Sequence, residues 1–135
     1  MTTTDVSAVL RPLAASHDML LETRRRDGTW VPTPVNPYVD GDRVLFRTWS
    51  TSGKAKRLRN VAEVRIAPCT RRGRRTGEQL VGCAQRLESR QADRAASLIN
   101  RRYPLLQGIA VRLYHRLRGL TTQHYEITSL RSAMP

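Results

Sequence analysis

Turn signals cut this chain into pieces too short for most helices and about the right length for strands. Asp27-Gly28 stands between 17–26 (HDMLLETRRR) and 29–39 (TWVPTPVNPYV). Asp-Gly readily adopts the positive backbone φ that a two-residue hairpin needs, so the two flanking segments are expected to pair. Asp40-Gly41-Asp42 makes a second tight turn before 43–49 (RVLFRTW), a third strand. Pro32, Pro34 and Pro37 have no N–H to give to a ladder. The segment that carries them is therefore expected at a sheet edge, or interrupted where something else approaches.

The remainder continues in the same manner. Residues 62–69 (AEVRIAPC) and 78–88 (EQLVGCAQRLE) read as strands around the Gly-punctuated turn 71–77 (RRGRRTG), and 122–130 (TQHYEITSL) as a closing strand. Residues 5–15 predict a short helix capped near Thr4 or Asp5, with a break at Pro12. Residues 90–102 predict a helix with Ala95, Ala96, Leu98 and Ile99 inward, broken at Tyr103-Pro104. A second amphipathic helix follows over 105–118, with Leu106, Ile109, Ala110, Leu113 and Leu117 on one stripe. Consecutive hairpins with helices packed outside predict a mainly β (α+β) fold, a small antiparallel barrel of six strands. With 135 residues, one domain spanning 1–135 is expected.

Composition narrows the class. At 39% hydrophobic residues the chain has enough apolar surface for an ordinary core. No apolar run is long enough to span a membrane, and Met1-Thr2-Thr3-Thr4-Asp5 lacks the basic-then-apolar pattern of a signal peptide. A soluble, cytoplasmic protein is expected. Cys69 and Cys83 form no C-x-x-C pair and have no His at metal-ligand spacing, so two reduced, half-buried thiols and no metal are expected. His17, His115 and His124 are scattered and read as structural or exposed.

Charge is the strongest compositional signal. Residues 1–45 hold five basic and six acidic side chains, net −1, whereas residues 46–135 hold nineteen and five, net +14. A one-sided basic field suits an anionic partner.

Residues 43–60 carry the most chemistry. Ser52 and Gly53 lead into a short basic helix, 54–60, in which Lys54 and Arg57 lie three residues apart on one face. A helix start offers free N–H groups and partial positive charge, and a hydroxyl, a Lys and an Arg beside it make an anion pocket. Gly53 lets backbone approach a ligand closely. The alternative is a solvated basic helix capped by Ser52. Pro32-Thr33-Pro34-Val35-Asn36 is a donor-poor strand that suits the flat face of a ring, or else an edge protected by proline.

In this order, the T-P-V strand, D-G-D turn, F-R-T strand, S-G-K-A-K-R-L helix, A-P-C strand and R-R-G-R turn resemble the split β-barrel flavin and deazaflavin oxidoreductases. This is the pyridoxamine-phosphate-oxidase-like class, and the likeness is to its small actinobacterial branch that uses the deazaflavin coenzyme F-420. It covers about residues 17–130. The resemblance implies a homodimer with two cofactor sites at its interface, F-420 as cofactor with FMN as the alternative, and hydride transfer to a small-molecule acceptor. Relatives grip the cofactor phosphate with a stretch like F-x-T-N-Y-x-S-R-K-A. Here the stretch reads Phe46-Arg47-Thr48-Trp49-Ser50-Thr51-Ser52-Gly53-Lys54-Ala55. Thr48, Ser52 and Lys54 match; Gly53 replaces the Arg, and Arg57 one turn later is the substitute cation. Arg47 and Ala55 belong to the same stretch, and Thr33, Pro34 and Val35 match the strand that lines the ring. Asn36 and Pro37 depart from the aromatic residue that follows T-P-V in relatives. A coenzyme with a phosphodiester and a polyglutamate tail is a polyanion, which Lys54, Lys56, Arg57 and Arg59, with Arg71 to Arg75, are placed to track. Cys69 stands at the A-P-C position and is expected to pack against the barrel. Hydride chemistry belongs to such a cofactor, and no catalytic triad is expected or visible.

Three other readings compete. Charge supports nucleic-acid binding, but only 5% of residues are aromatic and no finger, RNP or helix-turn-helix signature is present. A membrane-surface role would use Arg112, Arg116 and Arg118 of 105–118, although docking of that helix on the barrel accounts for it as well. A carrier of flavin, haem or another tetrapyrrole would keep the fold without turnover.

Overall fold

The computed structural model describes residues 3–103 and 121–133. The expected break at Pro104, the amphipathic helix 105–118 and His115 lie outside those residues. The elements are α1 (Thr3–Ala15), β1 (Asp18–Arg24), β2 (Trp30–Val35), β3 (Tyr38–Asp40), β4 (Arg43–Trp49), α2 (Gly53–Leu58), β5 (Glu63–Cys69), β6 (Leu80–Leu87), α3 (Ser89–Arg102) and β7 (Thr122–Ser132). No described helix is long and apolar enough to cross a membrane.

All seven strands form one antiparallel sheet in the order β2-β1-β5-β6-β7-β4-β3. The count differs from the expected six because 29–39 is two strands, β2 and β3, separated at Asn36-Pro37. That separation shapes the molecule. The two edge strands of a flat sheet this wide would lie about 29 Å apart at ~4.8 Å per step. Yet Val35 and Tyr38 are joined by Asn36-Pro37 alone, and three virtual bonds reach at most about 11 Å. The sheet must therefore curl until its edges meet, which makes an open barrel. Asn36 ties the corner to the start of β1, its Nδ2 donating to the His17 carbonyl at 3.2 Å and to Asp18 Oδ1 at 3.3 Å. The buried Tyr103 hydroxyl donates to the Pro37 carbonyl at 2.7 Å.

β2 is an edge strand, as its prolines predict. The Arg25 N–H donates to the Thr29 carbonyl at 2.8 Å, which fixes the ladder's alternation. Val31, Thr33 and Val35 then face β1 with their backbone groups, while Pro32 and Pro34 turn their missing donors to the free side.

Inside the barrel, Met19, Leu21, Val44, Phe46, Val64, Ile66, Tyr125 and Ile127 pack together, and Leu10 and Leu13 of α1 join them. Phe46 stacks on Tyr125 with centroids 5.1 Å apart and planes 9° from parallel. α1 runs through Pro12 without the expected break. Pro12 and Ala8, whose carbonyl the proline leaves unpaired, are both exposed, so water can serve that carbonyl. The opposite face of β4 carries Leu45, which joins Leu87, Ala95, Ile99 and Tyr103 beneath α3. Cys69 is buried and Cys83 is exposed, rather than both being half-buried. Burial, followed by the Asp18 carboxylate, pushes the Cys69 thiol above its ordinary value.

Candidate functional site

The lip of the barrel between β4, α2 and β1 gathers the polar residues of the 43–60 stretch. Thr48 points inward from β4 and is nearly buried. Its hydroxyl donates to Ser52 Oγ at 3.0 Å, and the same oxygen accepts the Ala55 N–H at 3.1 Å, which caps α2. Ser52 oxygen is thus used twice as acceptor, while its own O–H donates to no described residue. Ala55 is 1% exposed, and its small side chain lets α2 seat on the sheet.

Arg57 turns back over the start of its own helix. A Cβ built on Gly53 would stand 2.8 Å from Arg57 Nη1, so only glycine leaves the guanidinium where it is. Arg57 Nε donates to Thr23 Oγ1 at 2.6 Å, and Thr23 is fully buried in β1. Arg57, one turn later in the chain, thus lies over the position of the side chain that Gly53 lacks. Lys54 is half-buried and makes no hydrogen bond or ion pair with any described residue. Burial, then the charge of Arg57, holds its ammonium below the ordinary lysine value. Burial, then Arg25, lowers Arg57 in the same sense. Lys54, Arg57 and Arg25 are thus like charges near enough to act on one another, and none of them forms an ion pair with a described residue.

Thr33 also belongs to this side. It faces Leu21 in register, and Leu21 and Thr23 share the inward face of β1. Its Oγ1 is buried without a hydrogen-bond partner. Pro34 and Val35 do not share its situation. Strand alternation sends Pro34 to the outer surface, whereas Val35 is 9% exposed and packed into the core. Arg47 is not brought to the lip either. Alternation along β4 points it away from Thr48, toward α3, where Nη1 donates to Asn100 Oδ1 at 2.7 Å. Across the ladder from it stands His124, whose buried Nε2 has no partner. Burial, then the Arg47 charge, depresses the His124 pKa to about 4 against a smaller upward pull from Asp93.

The fold separates the two basic turns. Cys69, just before the Arg71–Arg75 turn, pairs with Asp18 at the start of β1, while Arg24 to Arg26 stand at its far end. Seven residues of strand, about 20 Å, lie between them. What joins Lys56 and Arg57 instead is the turn after β1. Arg24, Arg25, Arg26, Asp27, Lys56, Arg57 and Asn60 line an open groove of about 410 Å³. Arg26 Nη2 donates to Asn60 Oδ1 at 3.1 Å across it. Sequence reasoning took Arg24–Arg26 as a strand end; the signal was there, as an uninterrupted basic run directly before a turn.

No protein-family model and no curated protein sequence matches this chain. Solved structures do. A protein of unknown function from Agrobacterium tumefaciens superposes with a TM-score of 0.71 at 20% identity over 95% of this chain. This chain spans only 55% of that protein's length. A candidate pyridoxamine 5′-phosphate oxidase from Listeria innocua gives 0.65 at 14% identity, covering 96% of this chain and 98% of its own. HutZ, the haem storage protein from Vibrio cholerae, gives 0.63 at 10% identity, covering 93% and 92%. Likeness at such identities is likeness of backbone. Taken with the curled seven-stranded sheet, it gives this chain the split-barrel fold of the pyridoxamine 5′-phosphate oxidase type.

Proposed function

We propose that this protein is an oxidoreductase that binds a deazaflavin, coenzyme F-420, at the interface of a homodimer and serves hydride transfer to a small-molecule acceptor. The observation that carries this reading is the Arg57 guanidinium lying over Gly53 and anchored on Thr23. Together with Lys54 and the Ser52 O–H, which donates to no described residue, it makes an anion grip at the barrel lip, where the resemblance puts the cofactor phosphate. The unpartnered Thr33 hydroxyl suits a ligand with polar edges, so the residues present fit such a group.

Lys54, Arg57 and Ser52 would hold the phosphate; Thr48 keeps Ser52 oriented; Thr33 would meet the ring. When bound, the reduced deazaflavin supplies the hydride, and the protein supplies position and field. No side chain is assigned a proton-transfer role.

The test is titration of purified protein with F-420 and, in parallel, FMN, read by quenching of ligand fluorescence at two salt concentrations. Tight and selective F-420 binding is expected. FMN preference would keep the grip and change the cofactor. A haem Soret band with no flavin or deazaflavin binding would replace the redox reading with a carrier, the role that HutZ bears in its name.

A further inference from the structure

The groove between the β1–β2 turn and α2 shares Arg57 with the proposed phosphate grip, and its other cations extend away from that grip along the turn. Its cations outnumber the acids among its lining residues. Asp27 is the one carboxylate among the lining residues, and its Oδ1 accepts the Thr29 N–H at 2.9 Å inside the turn. Arg24 is occupied on the flank by Glu63 at 3.5 Å and by the ring of Trp30. The side chains of Arg25 and Lys56 are exposed and make no hydrogen bond or ion pair with any described residue. Arg57 and Arg26 are held in place by neutral partners, Thr23 and Asn60, which fix position without cancelling charge. A groove of about 410 Å³ thus holds four cations that the fold keeps together against their repulsion. The ligand that relieves most repulsion per unit length is a chain of linked phosphoryl groups, and guanidinium forks match its oxygens in pairs.

We propose that this groove is a second binding site, for a linear oligophosphate, free or carried on a nucleotide. The proposal does not rest on the redox reading. The experiment is titration calorimetry at fixed ionic strength with inorganic tripolyphosphate, ATP and sulfate. Tripolyphosphate is expected to bind at one site per chain, about tenfold or more tighter than sulfate. Equal affinity for ATP and tripolyphosphate identifies the free chain as sufficient, and tighter ATP binding identifies the nucleotide as the source. The double variant Arg25→Gln/Lys56→Gln is expected to weaken tripolyphosphate about tenfold. Arg90→Gln/Arg94→Gln removes the same charge from the exposed side of α3 and is expected to change it little. All four positions are exposed, and thermal melts check that both variants stay folded. Equal losses in the two variants, or tripolyphosphate no tighter than sulfate, would overturn the site. So would loss of F-420 or FMN binding in Arg25→Gln/Lys56→Gln, because the groove would then belong to the cofactor.

Discussion

Arg43 and Arg57 are both partly buried arginines near a sheet edge, and the fold treats them in opposite ways. Arg43 sits between Asp40 at 2.8 Å and Glu126 at 2.7 Å, and those hydrogen bonds raise its pKa. Arg57 is held by a hydroxyl, and burial, then Arg25, lowers its pKa. One cation is neutralised to close a seam between β3, β4 and β7. The other is kept exposed to its own kind at the barrel lip. The groove beside Arg57 holds five basic side chains against the single carboxylate of Asp27. The two environments predict different losses on substitution: stability at Arg43, where two carboxylates would be left unpaired, and ligand affinity at Arg57.

That contrast can be broken at the seam first. Arg43→Met leaves Asp40 and Glu126 without a donor, and is expected to lower stability by about 3 kcal/mol in urea unfolding while cofactor affinity holds. Comparable stability loss in Arg57→Met, with its binding intact, would erase the distinction between the two arginines.

A third environment is His124 beside Arg47. Its folded pKa of about 4 lies below the ordinary 6.5, so the native state resists protonation. The sign follows: the contribution is complete above pH 6.5 and is lost as pH falls through about 4. Between those limits, stability is expected to drop by about 2 to 3 kcal/mol, discounted for partial exposure. Urea midpoints at pH 7, 5.5 and 4 measure it, and His124→Gln should flatten the profile. A wild-type midpoint that is level across this range would remove His124 from the account.

Lys54→Ala sharpens the lip. It is expected to cost about 2 kcal/mol of F-420 binding at matched salt, with thermal stability unchanged. Unaltered affinity would take Lys54 out of the grip. The smallest effect is expected from Gly53→Ala. The added methyl displaces the end of a flexible arginine and no backbone, so binding should fall about fivefold, near 1 kcal/mol, with little change in melting temperature. A large stability loss instead would mean that Arg57 supports the fold and not the site.

Much of the architecture was legible because the signals are local. Asp-Gly turns, a strand over 43–49 and a helix over 90–102 depend on backbone preferences within a few residues, and β4 and α3 stand within a residue of where they were expected. Ser52 as cap and the pairing of Gly53 with Arg57 were likewise readable, because both partners lie within one helical turn. An edge or an interruption was expected of 29–39, and both occur; that the break falls at Asn36-Pro37 was not legible, because it is enforced by the closure of a sheet whose edges come from the whole chain. The amphipathic helix expected over 105–118 lies outside the described residues.

The sequence by itself determined that this chain makes short antiparallel strands, that a short basic helix capped by Ser52 follows 43–49, and that positive charge accumulates after residue 45. Those properties are set by residue type and near neighbours. Only the tertiary structure decided which charges meet. Strand alternation sent Arg47 to α3 and Thr48 to the lip, and Pro34 outward while Val35 joined the core. The pairing of β1 with β5 put Arg71–Arg75 at one end of β1 and left Arg24–Arg26 beside α2 at the other. Electrostatic partnership depends on distance through space, and distance is fixed by register and curl, to which composition is blind.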